Sequence, residues 1–393
     1  MAPTLIHNAR ILYPGTHTAP GSVLLQNGRI GAIDPAPTAV PADARRVDAE
    51  GRLLTPGLID LHTHGIGHHL YESSPESLQA GLAFAPRFGT TAVLPTLYRV
   101  MSRPSLPQLE QLSRALDQVS DVAVPGWHLE GPFLKLPGAG ADTIPGDLGL
   151  LAELLAATGG RTRAMSISPD TPNILPVIER LVEQSIVPFI THTRASVEET
   201  ERAIDAGACH ATHFYDVFPV PDITEPGVRP CGAVETILAD PRCSVDFICD
   251  GVHVAPVAVR AALAAKGFAG IVLITDSNIG AGLPDGIYPT TFGFPVKVSA
   301  SNAARIHDPA HKSHGGLAGS ALTMNVGIAN LHRWLKIPSE QIWAMGTSNP
   351  ARRMGLKNKG VIAVGADADV VVWNNDFTAA HTWVAGRRVF SAA

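Results

Sequence analysis

Six residues with metal-binding or proton-carrying side chains each lie at or just beyond the end of an apolar, strand-like run. They are His62, His64, Glu130, His192, His213 and Asp276. Imidazole and carboxylate groups bind Zn²⁺ and related first-row ions. Because parallel α/β folds collect their chemistry at the carboxyl ends of their strands, we expect these residues to form one metal site. Asp276 is the candidate to take a proton from a water that the metal has acidified.

The strongest local motif is the pair of histidines that ends the run TPGLIDLHTH, residues 55–64. Residues two apart in a strand point to the same side, so His62 and His64 can present two imidazoles to one ion. A bare His-X-His is a weak signal, since many histidines are surface or core residues. Here it follows an apolar run and precedes Gly65 and Gly67, where the backbone can approach closely, and this context favours ligands.

Glu130 ends another apolar run, in the segment HLEGPF of residues 128–133. A carboxylate there can bind one divalent ion or bridge two. The alternative is a carboxylate that caps the following turn. His128 shares the face of Glu130 and can line a barrel without being a ligand, and His210 remains ambiguous.

The elements that must position these residues alternate along the chain. Ala/Leu-rich helical stretches separate eight apolar runs, which is typical of βαβ units and a parallel sheet. The runs cover residues 53–61, 90–95, 122–129, 163–168, 186–191, 209–212, 244–249 and 271–275. Eight such runs predict an α/β fold of the (β/α)8 TIM-barrel type. An open doubly wound sheet is the alternative.

Both ends of the chain carry a different pattern. Residues 4–53 and the C-terminal segment after residue 360 contain short apolar runs and turn signals such as Asn27-Gly28, which predict small antiparallel strands. We expect residues 1–53 and 358–393 to form one small β-sandwich domain. Residues 54–357 would form the barrel.

The composition excludes several functional classes. Charged residues make up 17% of the chain, the net charge is -5, and no polybasic block is apparent, which argues against nucleic-acid and membrane-surface partners. No apolar segment is long enough for a membrane span and no secretory signal is apparent, so we expect a cytoplasmic protein. The cysteines, Cys209, Cys231, Cys243 and Cys249, show no metal-site spacing and are expected to be buried small hydrophobes.

Several further segments carry a resemblance to a known family. Besides the two motifs above, they are Thr191-His192, Ala211-Thr-His213, Glu225-Pro-Gly227, Asp250-Gly-Val-His253, Thr275-Asp276, Ser348-Asn-Pro-Ala351 and the stretches 316–324 and 360–369. With these motifs in order along nearly the whole chain, the sequence resembles the amidohydrolase superfamily. Within it, the sequence is similar to the N-acetylglucosamine-6-phosphate deacetylases.

The resemblance implies the same fold, a barrel with a small β-sandwich. It also implies a role for each residue of the site. Glu130, His192 and His213 would bind one divalent ion, and His62 and His64 a second. Asp276 would be the general acid and base. The ion would be Zn²⁺, with Fe²⁺, Co²⁺ and Mn²⁺ as alternatives. His253 matches a substrate-contacting histidine that is often contributed across a homodimer interface.

The presumed substrate pocket departs from the family pattern. Asp142 stands where the family usually has a substrate-binding histidine, Asp216 lies in a run that usually contains asparagine, and Thr224 replaces an arginine that grips a sugar phosphate. Arg229 either compensates for that loss or is a surface residue. A guanidinium matches phosphate geometry and threonine supplies no charge, so recognition of a 6-phosphate is open.

We therefore expect a metal-dependent deacetylase that hydrolyses the N-acetyl amide of an amino sugar. One alternative is another amidohydrolase that acts on an unphosphorylated N-acyl amine or N-acyl amino acid. A second is a barrel that binds a ligand without catalysis.

Overall fold

The computed structural model describes residues 2–138, 142–299 and 303–392. The N-terminal strands are β1 Thr4–Tyr13, β2 His17–Gln26, β3 Arg29–Ile33, β4 Arg45–Asp48 and β5 Leu53–Pro56. The middle of the chain contains β6 Leu58–Thr63, β7 Gly65–Ile66, β8 His69–Leu70, β9 Thr90–Leu97, β10 Trp127–Glu130, β11 Thr162–Ile167, β12 Val187–Ile190, β13 His210–Ala211, β14 Ser244–Ile248 and β15 Ile271–Ile274. The later strands are β16 Gly286–Tyr288, β17 Val296–Val298, β18 Ala303–Ile306, β19 Leu317–Ser320, β20 Val370–Trp373, β21 Ala379–Val384 and β22 Arg387–Ser391.

Helices separate most of the central strands. They are α1 Pro75–Phe84, α2 Leu106–Ala115, α3 Leu148–Ala157, α4 Ile174–Glu183, α5 Val197–Asp205, α6 Ala233–Ala239, α7 Pro256–Lys266, α8 Met324–Trp334, α9 Ser339–Gly346 and α10 Ser348–Arg353. Their sequences explain how they pack. Helix α4, for example, buries Ile174, Val177, Ile178 and Leu181, a spacing that forms one apolar stripe toward the strands. Within the described residues, no helix has both the length and the apolar character needed to cross a membrane.

Eight of the central strands form one parallel sheet in the order β6-β9-β10-β11-β12-β13-β14-β15. The sheet closes on itself just beyond β15, where the amide of Asp276 donates to the carbonyl of His62 at 2.8 Å. A parallel bridge between Thr63 and Ser277 continues the closure. The predicted TIM-type barrel is therefore confirmed, with the alternating helices around it.

The two ends of the chain combine in a separate eight-stranded sheet. Its order is β22-β21-β20-β5-β1-β2-β3, and β4 pairs with β1. The indole of Trp373 in β20 donates to the hydroxyl of Thr55 in β5 at 2.8 Å, which joins residues 318 positions apart. A separate apolar core, which includes Ile6, Val23 and Trp383, lies within this part of the molecule. The exact domain boundaries stay a prediction.

The predicted first run, residues 53–61, divides into two strands that belong to different sheets. The break lies at Gly57, between β5 and β6. A Cβ atom at Gly57 would lie 2.0 Å from the hydroxyl oxygen of Thr91, so only glycine fits there. This close approach lets the chain pass directly from the small sheet into the barrel.

An inserted antiparallel sheet follows the last barrel strand and was not predicted from the sequence. Its order is β16-β17-β18-β19. The amide of Ser320, at the end of β19, donates to the carbonyl of Asp276 at 2.9 Å. The insertion is therefore attached directly to the carboxyl end of the barrel.

Candidate metal centre

The barrel brings together all six residues that the sequence singled out. His62 lies in β6 and Glu130 ends β10, whereas His64, His192, His213 and Asp276 follow the ends of strands by one or two residues. All six are buried or nearly so. The φ angles of His192, His213 and Asp276 are 48°, 35° and 47°, a region that residues other than glycine rarely adopt. Such strain is concentrated at functional sites, where it aims side chains.

Two groups of donor atoms form the centre. One ligand atom from each of His62, Glu130 and His213 lies within 4.8 Å of the others, and the same holds for His62, His64 and Asp276. Glu130 Oε1 is 3.2 Å from His192 Nε2 and 3.1 Å from His213 Nε2. Its other oxygen, Oε2, is 3.3 Å from His64 Nε2. Glu130 therefore lies between the two groups.

Hydrogen bonds on the far side of the rings orient His62 and His64. His64 Nδ1 lies 3.1 Å from the carbonyl oxygen of Thr96. A carbonyl only accepts, so His64 donates from Nδ1 and its Nε2 faces the site. His62 Nδ1 similarly contacts the hydroxyl of Thr212 at 3.0 Å. Rings held in this way present Nε2 to the site, which is the nitrogen that a metal ion would bind.

His213 is held by a buried carboxylate. The amide of His213 donates to Asp246 Oδ1 at 2.5 Å, and Asp246 Oδ2 is 2.9 Å from His210 Nε2. The second ring nitrogen of His210 is 2.6 Å from the hydroxyl of Ser244. Since both nitrogens of His210 are engaged, this previously ambiguous histidine is part of the support and not a ligand.

His128 is likewise a core residue. Its Nδ1 is 3.0 Å from the carbonyl oxygen of Leu61 and its Nε2 is 2.8 Å from the hydroxyl of Ser166. Burial holds the pKa of His128 well below its ordinary value, and His62 adds to this effect. A neutral ring with both nitrogens engaged cannot polarise a substrate carbonyl.

The site has a strong preference for positive charge. Burial raises the pKa of Glu130, but the surrounding imidazoles, His62 foremost, hold it well below its usual range. Burial lowers the pKa of His213, yet Glu130 outweighs burial and raises it to about 9. Burial also lowers the pKa of His64, and its hydrogen bonds to Asp276 and Glu130 raise it well above its ordinary value. A divalent cation supplies the positive charge that these carboxylates favour, so the donor set fits a first-row metal ion.

A cavity of about 270 Å³ opens above the donor atoms. It is lined by His64, Tyr98, Glu130, Pro137, Gly138, His192, His213, Asp216, Val217, His253, Asp276, Asn278, Leu317 and Gly319. Three of these are carboxylates. None of the described lining residues is an arginine or a lysine.

Two of the four predicted substrate-binding residues line this cavity. They are Asp216 and His253. His253 Nδ1 is 2.7 Å from Asp250 Oδ2, and although burial lowers the pKa of His253, this hydrogen bond raises it above the ordinary value. Asp142 is exposed and is not part of the lining. Arg229 also lies outside it, with a side chain 73% exposed and paired with Glu235 at 3.0 Å.

The cavity contains residues that sequence reasoning missed. Leu317 and Gly319 come from the unpredicted insertion, and Asn278 precedes it. Tyr98 directly follows β9, so the rule that selected the ligands, a chemically capable residue at the end of a barrel strand, could have found it. No recognisable motif surrounds Tyr98.

Comparison with known proteins agrees with this geometry. The Amidohydrolase family model matches residues 53–389. An N-acetylglucosamine-6-phosphate deacetylase of Vibrio furnissii is 32% identical over 94% of this chain and 90% of its own length. An N-acetylgalactosamine-6-phosphate deacetylase of Escherichia coli O157:H7 is 28% identical over 92% of this chain and 93% of its own.

Solved structures give the same result. A mutant N-acetyl-D-glucosamine-6-phosphate deacetylase of Mycobacterium smegmatis, in complex with N-acetyl-D-glucosamine-6-phosphate, matches with a TM-score of 0.84 and 27% identity over 100% of both chains. The enzyme of Pasteurella multocida matches with a TM-score of 0.85 and 25% identity, covering 98% of this chain and 99% of its own. The chain therefore belongs to the amidohydrolase family. It is a hydrolase of linear amide C–N bonds, and specifically a deacetylase.

Proposed function

We propose that this chain is a metal-dependent deacetylase that removes the acetyl group from an N-acetylated amino sugar. The observation that carries the proposal is the donor cluster around Glu130, with Asp276 beside it, at the floor of a cavity of about 270 Å³. Relatives named as deacetylases of N-acetylhexosamine 6-phosphates support the substrate class. The acetyl group would enter over Glu130 and Asp276 with the sugar toward the cavity mouth.

The proposed ligands divide into two sets that share the space around Glu130. Glu130, His192 and His213 would hold one divalent ion, and His62 and His64, with Asp276, a second. Zn²⁺ suits this mixture of imidazole and carboxylate donors, and Fe²⁺, Co²⁺ or Mn²⁺ also fit it. Such an ion, when bound, acidifies water and polarises a carbonyl.

Asp276 would carry the proton in this reaction. Burial raises the pKa of Asp276, but the hydrogen bond with His64 and the neighbouring imidazoles bring it below the ordinary value, so the carboxylate is ready to accept. As the water oxygen bonds to the acetyl carbon, one water proton passes to Asp276. The same proton then passes to the sugar nitrogen while the C–N bond breaks, which yields a free amine and acetic acid, and the acid loses its remaining proton to the solvent to give acetate.

The charge of the cavity affects whether a phosphorylated sugar can bind. Asp216, Asp276 and Glu130 line it, and the described lining contains no cationic arginine or lysine to bind a phosphate. Hydrogen bonds to a guanidinium make the binding free energy of a phosphate dianion more favourable, whereas repulsion from nearby carboxylates makes it less favourable. We therefore propose that the preferred substrate is unphosphorylated.

A substrate panel on metal-replete enzyme tests both parts. It contains N-acetylglucosamine and N-acetylgalactosamine, each with and without a 6-phosphate, and N-acetyl amino acids. Release of acetate from the free sugars supports the proposal, and a strong preference for the 6-phosphates would refute the charge argument. Hydrolysis of N-acetyl amino acids alone would favour another amidohydrolase activity. Binding without hydrolysis would favour a non-catalytic barrel.

Asp216→Asn provides a matched variant, because it removes one negative charge at nearly constant shape. Removing a charge near a phosphate is worth about 1–2 kcal/mol at an intermediate effective dielectric constant. The ratio of kcat/KM for phosphorylated over free sugar should therefore rise on the order of tenfold. An unchanged ratio would contradict a role for Asp216 in rejecting phosphate.

A homodimer and a cytoplasmic location are also proposed, on the sequence alone.

A further inference from the structure

Among the described residues that line the cavity, Tyr98 is the single phenylalanine, tyrosine or tryptophan. It follows β9 directly and is only 5% exposed. Its ring meets the ring of His64 edge to face, with centroids 4.7 Å apart. His64 Nε2 in turn lies 3.1 Å from Asp276 Oδ1. Tyr98 is therefore one residue away from the proposed proton carrier.

The backbone of Tyr98 is fixed, whereas its hydroxyl is not. The amide of Tyr98 donates to Glu72 Oε2 at 3.3 Å. Within the described part of the chain its hydroxyl has no hydrogen-bond partner, and it is not among the buried polar atoms that lack one, so it is open to the cavity. Since Tyr98 lines the cavity, a bound molecule can supply that partner.

The hydroxyl is suited to donate. A tyrosine hydroxyl is a hydrogen-bond donor that ordinarily keeps its proton throughout the neutral range. A neutral donor that needs no reorganisation is the kind of group that stabilises an oxyanion.

His128 cannot serve as this donor, because both of its ring nitrogens bond within the core. His253 and Asn278 also line the cavity. His253 donates from Nδ1 to Asp250, and Asn278 lies next to Gly319 of the insertion.

We propose that the Tyr98 hydroxyl donates a hydrogen bond to the acetyl carbonyl oxygen and stabilises the negative charge that develops there. This role rests on the proposed deacetylase function. When the water oxygen bonds to the carbonyl carbon, the C=O electron pair moves onto the oxygen that Tyr98 contacts. Tyr98 keeps its proton, the pair returns as the C–N bond breaks, and the nitrogen takes its proton from Asp276.

Two substitutions separate the hydroxyl from the ring. Tyr98→Phe removes only the donor and keeps the edge-to-face contact with His64, whereas Tyr98→Leu removes both. Loss of one oxyanion donor typically lowers kcat by about 10²–10³-fold. We expect such a fall in both variants, with little change in KM and full metal content. Tyr13→Phe, in the small sheet, is the matched control and should equal the wild type.

The outcomes discriminate clearly. A Tyr98→Phe enzyme with kcat close to wild type, beside a defective Tyr98→Leu, would show that only ring packing matters and would overturn the proposal. A rise in KM at constant kcat would also overturn it, because the contact would then be to the ground state. If the metal-replete wild type released no acetate from any N-acetyl sugar, the proposed function itself would fail, and this role with it.

Discussion

Asp246 offers a sharp test of how the candidate centre is supported. It is fully buried and accepts from the amide of His213 at 2.5 Å, while its second oxygen contacts His210 Nε2 at 2.9 Å. Asp246→Ala removes both acceptors. Hydrogen bonds to a charged group are worth about 1.5–3 kcal/mol each, so we expect a loss of about 3–6 kcal/mol in the free energy of unfolding.

Asp246→Asn should be much milder, because His210 can change its tautomer. The amide oxygen of asparagine can still accept from His213, and its NH₂ group can donate to His210 Nε2. The ring proton then moves to Nδ1, which already lies 2.6 Å from the hydroxyl of Ser244. Only the difference between charged and neutral hydrogen bonds is lost, about 1–2 kcal/mol in total.

Urea unfolding of the metal-loaded variants measures these free energies, and metal analysis after dialysis measures retention. Supporting residues of this kind typically change metal affinity by about 10–100-fold, so Asp246→Ala should also lose metal. Equal losses for the alanine and asparagine variants would refute the tautomer argument. An Asp246→Ala protein as stable as wild type would refute the support itself.

Three further predictions concern the site and the thiols. Asp276→Asn should lower kcat by about 10²–10⁴-fold, measured as acetate release, while metal content stays near wild type; near-normal turnover would exclude Asp276 as proton carrier. Treatment with a chelator should abolish activity and lower the thermal midpoint, and Zn²⁺ should restore both; activity that survives verified metal loss would contradict the proposed centre. Iodoacetamide at pH 8 should label exposed Cys231 first and spare Cys243, because burial raises the pKa of the Cys243 thiol to about 12. Mass spectrometry of the native protein, with Cys231→Ser as control, checks the labelling.

The barrel could be predicted because most of its strands are apolar runs between helical stretches. At residues 53–61 the strand boundaries differ from the predicted ones because of a long-range contact. Residues 53–61 form two strands because Gly57 lies against Thr91, and no local signal reports that contact. The predicted strand 122–129 begins only at Trp127, after Pro125 and Gly126. The inserted sheet was missed because its strands are only three or four residues long and partly exposed.

The candidate site followed the same logic. The six candidate metal ligands could be singled out because each lies at or just beyond the end of a strand, a position that one rule describes. Asp142 and Arg229 were chosen for their places near motifs, and neither side chain lines the cavity. Cys231 was expected to be buried but is exposed, and Cys209 is only partly buried. Contacts between loops determine these positions, and the period of an apolar pattern does not encode them.

The pairing of β5 with β20 has a consequence for how the protein is made. Leu53–Pro56 lies opposite Val370–Trp373, so the small sheet joins segments that are translated far apart in time, with the barrel residues between them. Until Val370–Trp373 leaves the ribosome, β5 has an unpaired edge on its β20 side. The edge of β5 therefore stays exposed while the barrel residues between β5 and β20 are translated. A ribosome that stalls within the barrel would release a chain with an open edge ready to pair with another copy.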